Sequence, residues 1–160
     1  MMNISASLVV QAVTESEAPI AAAGGVVYRW TTAGQLEILL IKKQGGFWTL
    51  PKGRIKDGEE APAAVAREVA EETSVVGDVE GMVRQVLYTI HKAGRRRRKS
   101  VTYYLVRAVA GRPRPQAKER ITRVRWFSIG MALRRIRRRR IRLVVRVARA
   151  MLEGARDPAV

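Results

Sequence analysis

Six of the chain's fourteen acidic residues, Asp57, Glu59, Glu60, Glu68, Glu71 and Glu72, fall between Gly53 and Val75, although the formal net charge is +17. Placed on a helix, Ala61 to Thr73 advances about 100° per residue, so Glu68, Glu71 and Glu72 share one face. Pro62, Val65, Ala66, Val69 and Thr73 take the adjoining, mostly apolar arc, which can pack on a core. Like charges at three- and four-residue spacing repel by a few tenths of a kcal/mol per pair, so folding alone does not account for the cluster. A cation among them does. Hard divalent ions such as Mg²⁺ or Mn²⁺ take oxygen ligands, and Mg²⁺ is held by a few carboxylates together with substrate phosphates. Arg67 lies four residues before Glu71 and can buttress it. Pro62 suits a first helical turn, and Glu59 and Glu60 suit the positive end of the helix dipole.

The same stretch reads Gly53, five residues, Glu59, seven residues, Arg67-Glu68-Val69, one residue, Glu71-Glu72, one residue, Ser74-Val75. This resembles the Nudix box, G-x5-E-x7-R-E-U-x-E-E-x-G-U with U aliphatic. All defining positions match except the last glycine, which is Ser74 here. Fixed spacing of so many specified residues makes the signal specific. Leu50-Pro51-Lys52-Gly53, just upstream, also resembles the family. The resemblance implies a Nudix (MutT-like) hydrolase acting on nucleoside diphosphates linked to another moiety, with Mg²⁺ or Mn²⁺ as cofactor. It implies an α+β fold, an α-β-α sandwich in which a mixed β-sheet is packed between helices. The backbone carbonyl of Gly53 is expected to join Glu68, Glu71 and Glu72 in the metal shell, and Glu59 either stiffens its loop or binds an outer metal. Glu68 is the expected base. Glu119, the one acidic residue between Glu80 and Glu153, is the second candidate, as a late ligand or base; a surface ion pair is its alternative reading. Ser74 alters the turn that closes the helix, where glycine adopts a left-handed conformation readily, and touches no ligand.

A chain of 160 residues suits one domain burying about two thirds of its unfolded surface. Residues 20–154 read as that domain, 1–19 as an N-terminal extension and 155–160 as a tail. Without cysteine there is no disulfide or cysteine-metal site, which fits a reducing cytoplasm. No segment approaches about 18 unbroken apolar residues, so neither a membrane span nor an export signal is expected. Lysine and arginine number 31 against 14 acidic residues, which draws nucleotides, polyphosphates or RNA to the surface. A compositional bias toward arginine gives the same charge, and both readings stand, as do monomer and homodimer.

In chain order, Ala21–Arg29 reads as a strand whose Gly24 and Gly25 admit a close neighbour, and Glu37–Ile41 as a buried strand. Lys42–Gly46 is a basic connection. Trp48 is either a core anchor or a base-stacking residue. Val79–His91 predicts a strand, Ala93-Gly94 a turn, Arg95–Lys99 a basic loop or strand start, and Val101–Val106 an apolar strand. Tyr103 and Tyr104 face opposite sides of that strand, so one is core and the other could stack on a nucleobase, worth about 1–3 kcal/mol. Ile121–Phe127 is a further strand. Ser128 is placed to cap a helix from Ile129 to Ile136, and helix then runs to Glu153 with Ile141, Val144, Val145, Ala148 and Leu152 as its packing stripe. Lys52, Lys56, Lys99 and Arg97 are candidates for phosphate contacts. His91 is a phosphate donor or a solvent-facing strand residue.

The resemblance thus implies metal-assisted hydrolysis of a pyrophosphate link. Ala-Gly-Gly-Val-Val-Tyr, Trp-Thr-Leu-Pro-Lys-Gly and Lys-Ser-Val-Thr-Tyr-Tyr-Leu resemble the bacterial diadenosine polyphosphate hydrolases and the diphosphoinositol polyphosphate enzymes within the family. Diadenosine polyphosphates are therefore the expected substrates. Oxidised nucleoside triphosphates, diphosphoinositol polyphosphates and RNA 5′ pyrophosphates are the alternatives. From another class, a non-catalytic module binding RNA or polyphosphate on the same fold would use the arginine-rich C-terminal helix.

Overall fold

In the computed structural model, which describes residues 17–156, the strand β1 (Ile20–Trp30) runs through the middle of the sheet. Its alternate side chains enter different layers: Ala22, Val26 and Tyr28 on one face, Ala23 and Val27 on the other. β2 (Leu36–Lys43) divides likewise, with Ile38 and Leu40 opposite Leu39 and Ile41, all fully buried. Burial on both faces is why this segment reads as an apolar run rather than an alternation.

β3 (Trp48–Thr49) pairs with β2, and β4 (Lys52–Arg54) pairs antiparallel with β1. After α1 (Ala61–Thr73) come β5 (Val76–Lys92) and β6 (Arg95–Ala110), a long hairpin. Ala93 and Gly94 join them with φ of 50° and 73°, the left-handed pair that a two-residue hairpin turn requires. Arg95–Lys99 is thereby the start of a strand and not a loop. β7 (Ile121–Ser128) pairs with β2. The sheet order is β3-β2-β1-β6-β5, with β1 and β6 parallel and the remaining pairs antiparallel.

α1 covers one face of this mixed sheet through Ala64, Val65 and Val69, whereas Pro62 stays exposed in the first turn. α2 (Ile129–Arg135) and α3 (Arg139–Arg156) cover the other through Ala132, Ile141, Val144, Val145, Ala148 and Leu152. The result is an α-β-α sandwich. A side chain at Gly24 would strike the Tyr103 ring at 2.6 Å, and one at Gly25 would meet Val106 and Val69 at 3.0 and 3.1 Å. These glycines let both layers close on β1.

Ser128 caps α2, accepting a hydrogen bond from the Met131 N–H at 3.4 Å. Helix is interrupted between α2 and α3, where Ile136 turns to extended backbone and buries its side chain. The Arg142 guanidinium donates to the carbonyls of Ile136 and Arg137 at 3.2 and 3.3 Å and pins that turn. α3 continues to Arg156, so Ala155 and Arg156 belong to the helix and not to a tail; residues 157–160, and 1–16 of the expected extension, lie outside the described residues. Among the described residues no helix is long and apolar enough to cross a membrane.

Candidate active site

α1 ends at Ser74, whose φ of 62° is left-handed. The strain of that conformation for a residue with a Cβ is about 1 kcal/mol. Ser74 Oγ accepts from the Gln116 side-chain amide, and a Cβ at Gly111 would lie 2.3 Å from the Ser74 carbonyl oxygen. The loop from 111 to 116 therefore seats the end of α1, and the serine departure concerns that seat.

Arg67 organises the acidic face. Its guanidinium donates to both Glu59 carboxylate oxygens at 2.8 and 2.9 Å, to Glu68 at 2.9 Å, to Glu71 at 3.1 Å and to the Arg54 carbonyl at 3.0 Å. Hydrogen bonds from Arg67, and then from the Lys56 N–H, hold the Glu59 carboxyl down at about 2. Glu59 thus clamps its loop to α1 through Arg67 and the Lys56 N–H. The Glu68 carboxylate is buried against the backbone of Gly53: a Cβ there would fall 1.9–2.3 Å from its carboxylate atoms. Only glycine fits this contact.

Glu72 is 1% exposed and its Oε2 has no hydrogen-bond partner. Burial pushes its carboxyl up to about 7; the neighbouring Lys43 opposes the rise, while the charges of Glu68 and Glu119 add to it. Lys43 Nζ lies 4.0 Å from Glu72 Oε1. Glu119 ends a single 3₁₀ turn, Ala117–Glu119, tied to the end of β2 by the Gln44 N–H donating to the Arg120 carbonyl at 2.9 Å. Among the described residues no three acidic or histidine side chains stand arranged to hold a metal ion. Arg67 draws Glu59, Glu68 and Glu71 toward itself, and Glu72 turns inward. The donor set nonetheless suits a hard divalent cation: an orphaned buried carboxylate oxygen on Glu72, Glu68 at the Gly53 backbone, and Glu71 on the rim.

Beside these carboxylates opens a pocket of about 460 Å³ lined by Lys43, Phe47, Trp48, Lys52, Tyr88, Lys99, Arg138 and Arg140, together with backbone and apolar residues. No acidic residue lines it. Burial, then repulsion from Lys43, brings the Lys52 ammonium down to about 8, and burial with Lys52 beside it also lowers Lys99. Lys52 Nζ donates to the Tyr88 hydroxyl at 3.2 Å, and the Arg140 guanidinium lies 4.0 Å over the Tyr88 ring. On the far side, Arg137 covers the Phe47 ring at 4.4 Å. Trp48 packs edge-on against Phe127 and also lines the pocket. A wider groove of about 750 Å³ between Trp30, Ile129 and Arg156 contains no residue of the box.

Of the residues expected to bind substrate, Lys52 and Lys99 share this pocket. Lys56 is exposed on the loop before α1, and Arg97 is paired with Glu17 at 2.7 Å. Of the two tyrosines Tyr103 is the core residue, fully buried in the layer that α3 covers and so corrected as a substrate contact, while Tyr104 is partly buried on the opposite, α1-side layer. The Tyr103 ring therefore offers no stacking platform, whereas Tyr104 keeps partial exposure. His91 is exposed on β5. Sequence reasoning missed Lys43, Tyr88, Arg138 and Arg140. The alternation of Val86, Tyr88 and Ile90 was the available signal for Tyr88; the arginine run concealed Arg138 and Arg140.

The NUDIX domain family model matches residues 19–146. The chain is 32% identical over 90 residues to a bis(5′-nucleosyl)-tetraphosphatase (asymmetrical) of Caenorhabditis elegans, covering 55% of this chain and 64% of that one. The matched stretches span from 33% to 64% of the curated relatives' own lengths. Among solved structures, a C. elegans Ap4A hydrolase binary complex superimposes with a TM-score of 0.72 at 25% identity, covering 84% of this chain and 98% of that one. The NUDIX domain of Shewanella oneidensis NrtR, complexed with ADP ribose, gives 0.70 at 22% identity, covering 85% and 90%. The sandwich fold agrees with the family match across most of the chain, and the protein belongs to the NUDIX domain family.

Proposed function

We propose that this protein hydrolyses a pyrophosphate link in dinucleoside polyphosphates such as diadenosine tetraphosphate. The observation that supports this reading most is the adjacency of the Glu68–Glu72 face to a pocket lined by cations and aromatic rings with no acidic residue. The C. elegans relatives named for such substrates add support.

Glu68, Glu71, Glu72 and the Gly53 carbonyl would hold Mg²⁺ or Mn²⁺. When bound, that ion would neutralise phosphate charge and lower the pKa of a water. Lys43, Lys52 and Lys99 attract the phosphate chain and favour the charge that spreads over a transferring phosphoryl group. Glu68, fixed between Gly53 and Arg67, takes the proton as the water oxygen bonds to phosphorus and the bridging P–O bond breaks; Glu119 is the second candidate. Arg67 holds Glu68 and Glu71 in place. Phe47, Trp48 and Tyr88 form the apolar wall for a nucleoside. A Cys-free enzyme acting on nucleotides suits the cytoplasm.

The decisive assay offers the purified protein diadenosine tetraphosphate, an oxidised guanine triphosphate, a diphosphoinositol polyphosphate and 5′-triphosphorylated RNA, each with Mg²⁺ and with Mn²⁺. Cleavage of the dinucleotide with the largest kcat/KM is expected. Rapid cleavage of the oxidised triphosphate with the dinucleotide left intact would overturn the substrate, and full turnover by Glu68→Gln would overturn the base.

A further inference from the structure

The start of α3 forms a wall of the pocket, and its arginines have chemistry the reaction above does not use. Arg138 and Arg140 line the cavity with Lys43, Lys52 and Lys99, which makes five cations facing one space. Such convergence is unfavourable in a folded protein unless an anion relieves it. The nearest relief is a single carboxylate, Glu72, 4.0 Å from Lys43 at the edge of the space.

Arg140 is the telling member. Its guanidinium is stacked on Tyr88 at 4.0 Å, and its Nε is buried without any hydrogen-bond acceptor. A buried unsatisfied donor on a charged group is costly, and such donors are normally paired. Tyr88 is in turn held at its hydroxyl by Lys52. Arg142 fixes the turn carrying Arg138 by bonding the Ile136 and Arg137 carbonyls. The arginines are thus pre-positioned on a pinned turn, the arrangement in which a guanidinium fork binds phosphate oxygens strongly. Each bridging phosphate brings one negative charge, so a two-phosphate bridge leaves most of the five cations unmatched, whereas a longer chain matches them.

Resting on the reaction proposed above, we propose that Arg140 and Arg138 read the length of the substrate's phosphate chain, binding the phosphates that lie beyond the cleaved pair. This assigns the turn that carries Arg138 and the first turn of α3 to substrate selection.

The test measures calorimetric binding of inorganic tripolyphosphate and of pyrophosphate to the full chain in EDTA, for wild type, Arg140→Gln and Arg138→Gln. Wild type should prefer tripolyphosphate. Each variant should lose about tenfold in tripolyphosphate affinity and less than about threefold in pyrophosphate affinity. Equal losses for both probes, or no loss, overturn the assignment. Thermal melts accompany each variant; should Arg140→Gln fail to fold, Arg138→Gln, on the exposed turn, decides by the same criterion. Retained chain-length preference in a wild type that leaves diadenosine tetraphosphate uncleaved with Mg²⁺ would refute the reaction and sustain the pocket assignment.

Discussion

Replacing Glu72 by glutamine should make the metal-free protein more stable at pH 8 while abolishing its turnover. Burial raises the Glu72 carboxyl from its ordinary 4.5 to about 7 in the folded chain. The folded state therefore keeps a proton that the unfolded state releases near pH 4.5. Stability from this group is full below pH 4.5 and is lost as pH rises through about 7. A difference near 2.5 pKa units sets a ceiling of about 3 kcal/mol, and relaxation around the ionised group brings the expected value to about 2 kcal/mol. Glutamine keeps the shape and never ionises. In EDTA, Glu72→Gln and wild type should melt together at pH 4 and separate by about 4–8 °C at pH 8, with the variant higher. Saturating Mg²⁺ should reverse the order, because the carboxylate then gains a cation; a ligand at about 100 times its Kd adds about 2.7 kcal/mol. Differential scanning calorimetry across that pH range, with and without metal, is the assay. Parallel melting curves for the two proteins from pH 4 to 8 in EDTA would refute the argument, since they would mean that Glu72 is hydrated and titrates normally.

Arg67→Lys should lower kcat by about 10–100-fold with little change in KM, because one ammonium cannot replace a fork that reaches Glu59, Glu68 and Glu71 together; steady-state kinetics separates the two constants. Gly53→Ala should fold, since the obstructing Glu68 carboxylate can swing away, yet lose at least about 100-fold in kcat; a melting temperature near wild type beside unchanged turnover would contradict the cradle. Lys52→Met should gain about 1 kcal/mol at pH 7 and lose affinity for polyphosphate. The charged ammonium is disfavoured in the fold below about pH 8, and that penalty fades as pH rises toward 10.5, so the stability advantage of the variant should shrink over this interval in chemical denaturation.

The candidate site groups were legible because their spacing is local: Gly53, Arg67, Glu68, Glu71 and Glu72 lie within one short strand and the helix that follows it, where spacing maps directly onto a face. The buried double-sided strands β1 and β2 were legible for the same reason. The pocket was not, since Lys43, Tyr88, Lys99 and Arg140 belong to β2, β5, β6 and α3, and their meeting is a property of the packed sheet. Tyr103 was assigned as a site residue because strand alternation says that the two tyrosines diverge but not which of them the core takes. Ile136 broke the expected helical run through its own extended backbone, a departure that a sequence of good helix formers does not announce.

The parallel pairing of β1 with β6 also governs how the protein reaches its working state. Partners such as Ala22 and Val101 are about 80 residues apart, and joining them costs about 4 kcal/mol in loop-closure entropy before any contact repays it. The β5–β6 hairpin is local and can form first, but the box, Lys43, Lys52 and Tyr88 all lie inside the loop that this late pairing closes. Recovery of hydrolysis during refolding should therefore appear in one step with the slowest sheet signal and never ahead of it.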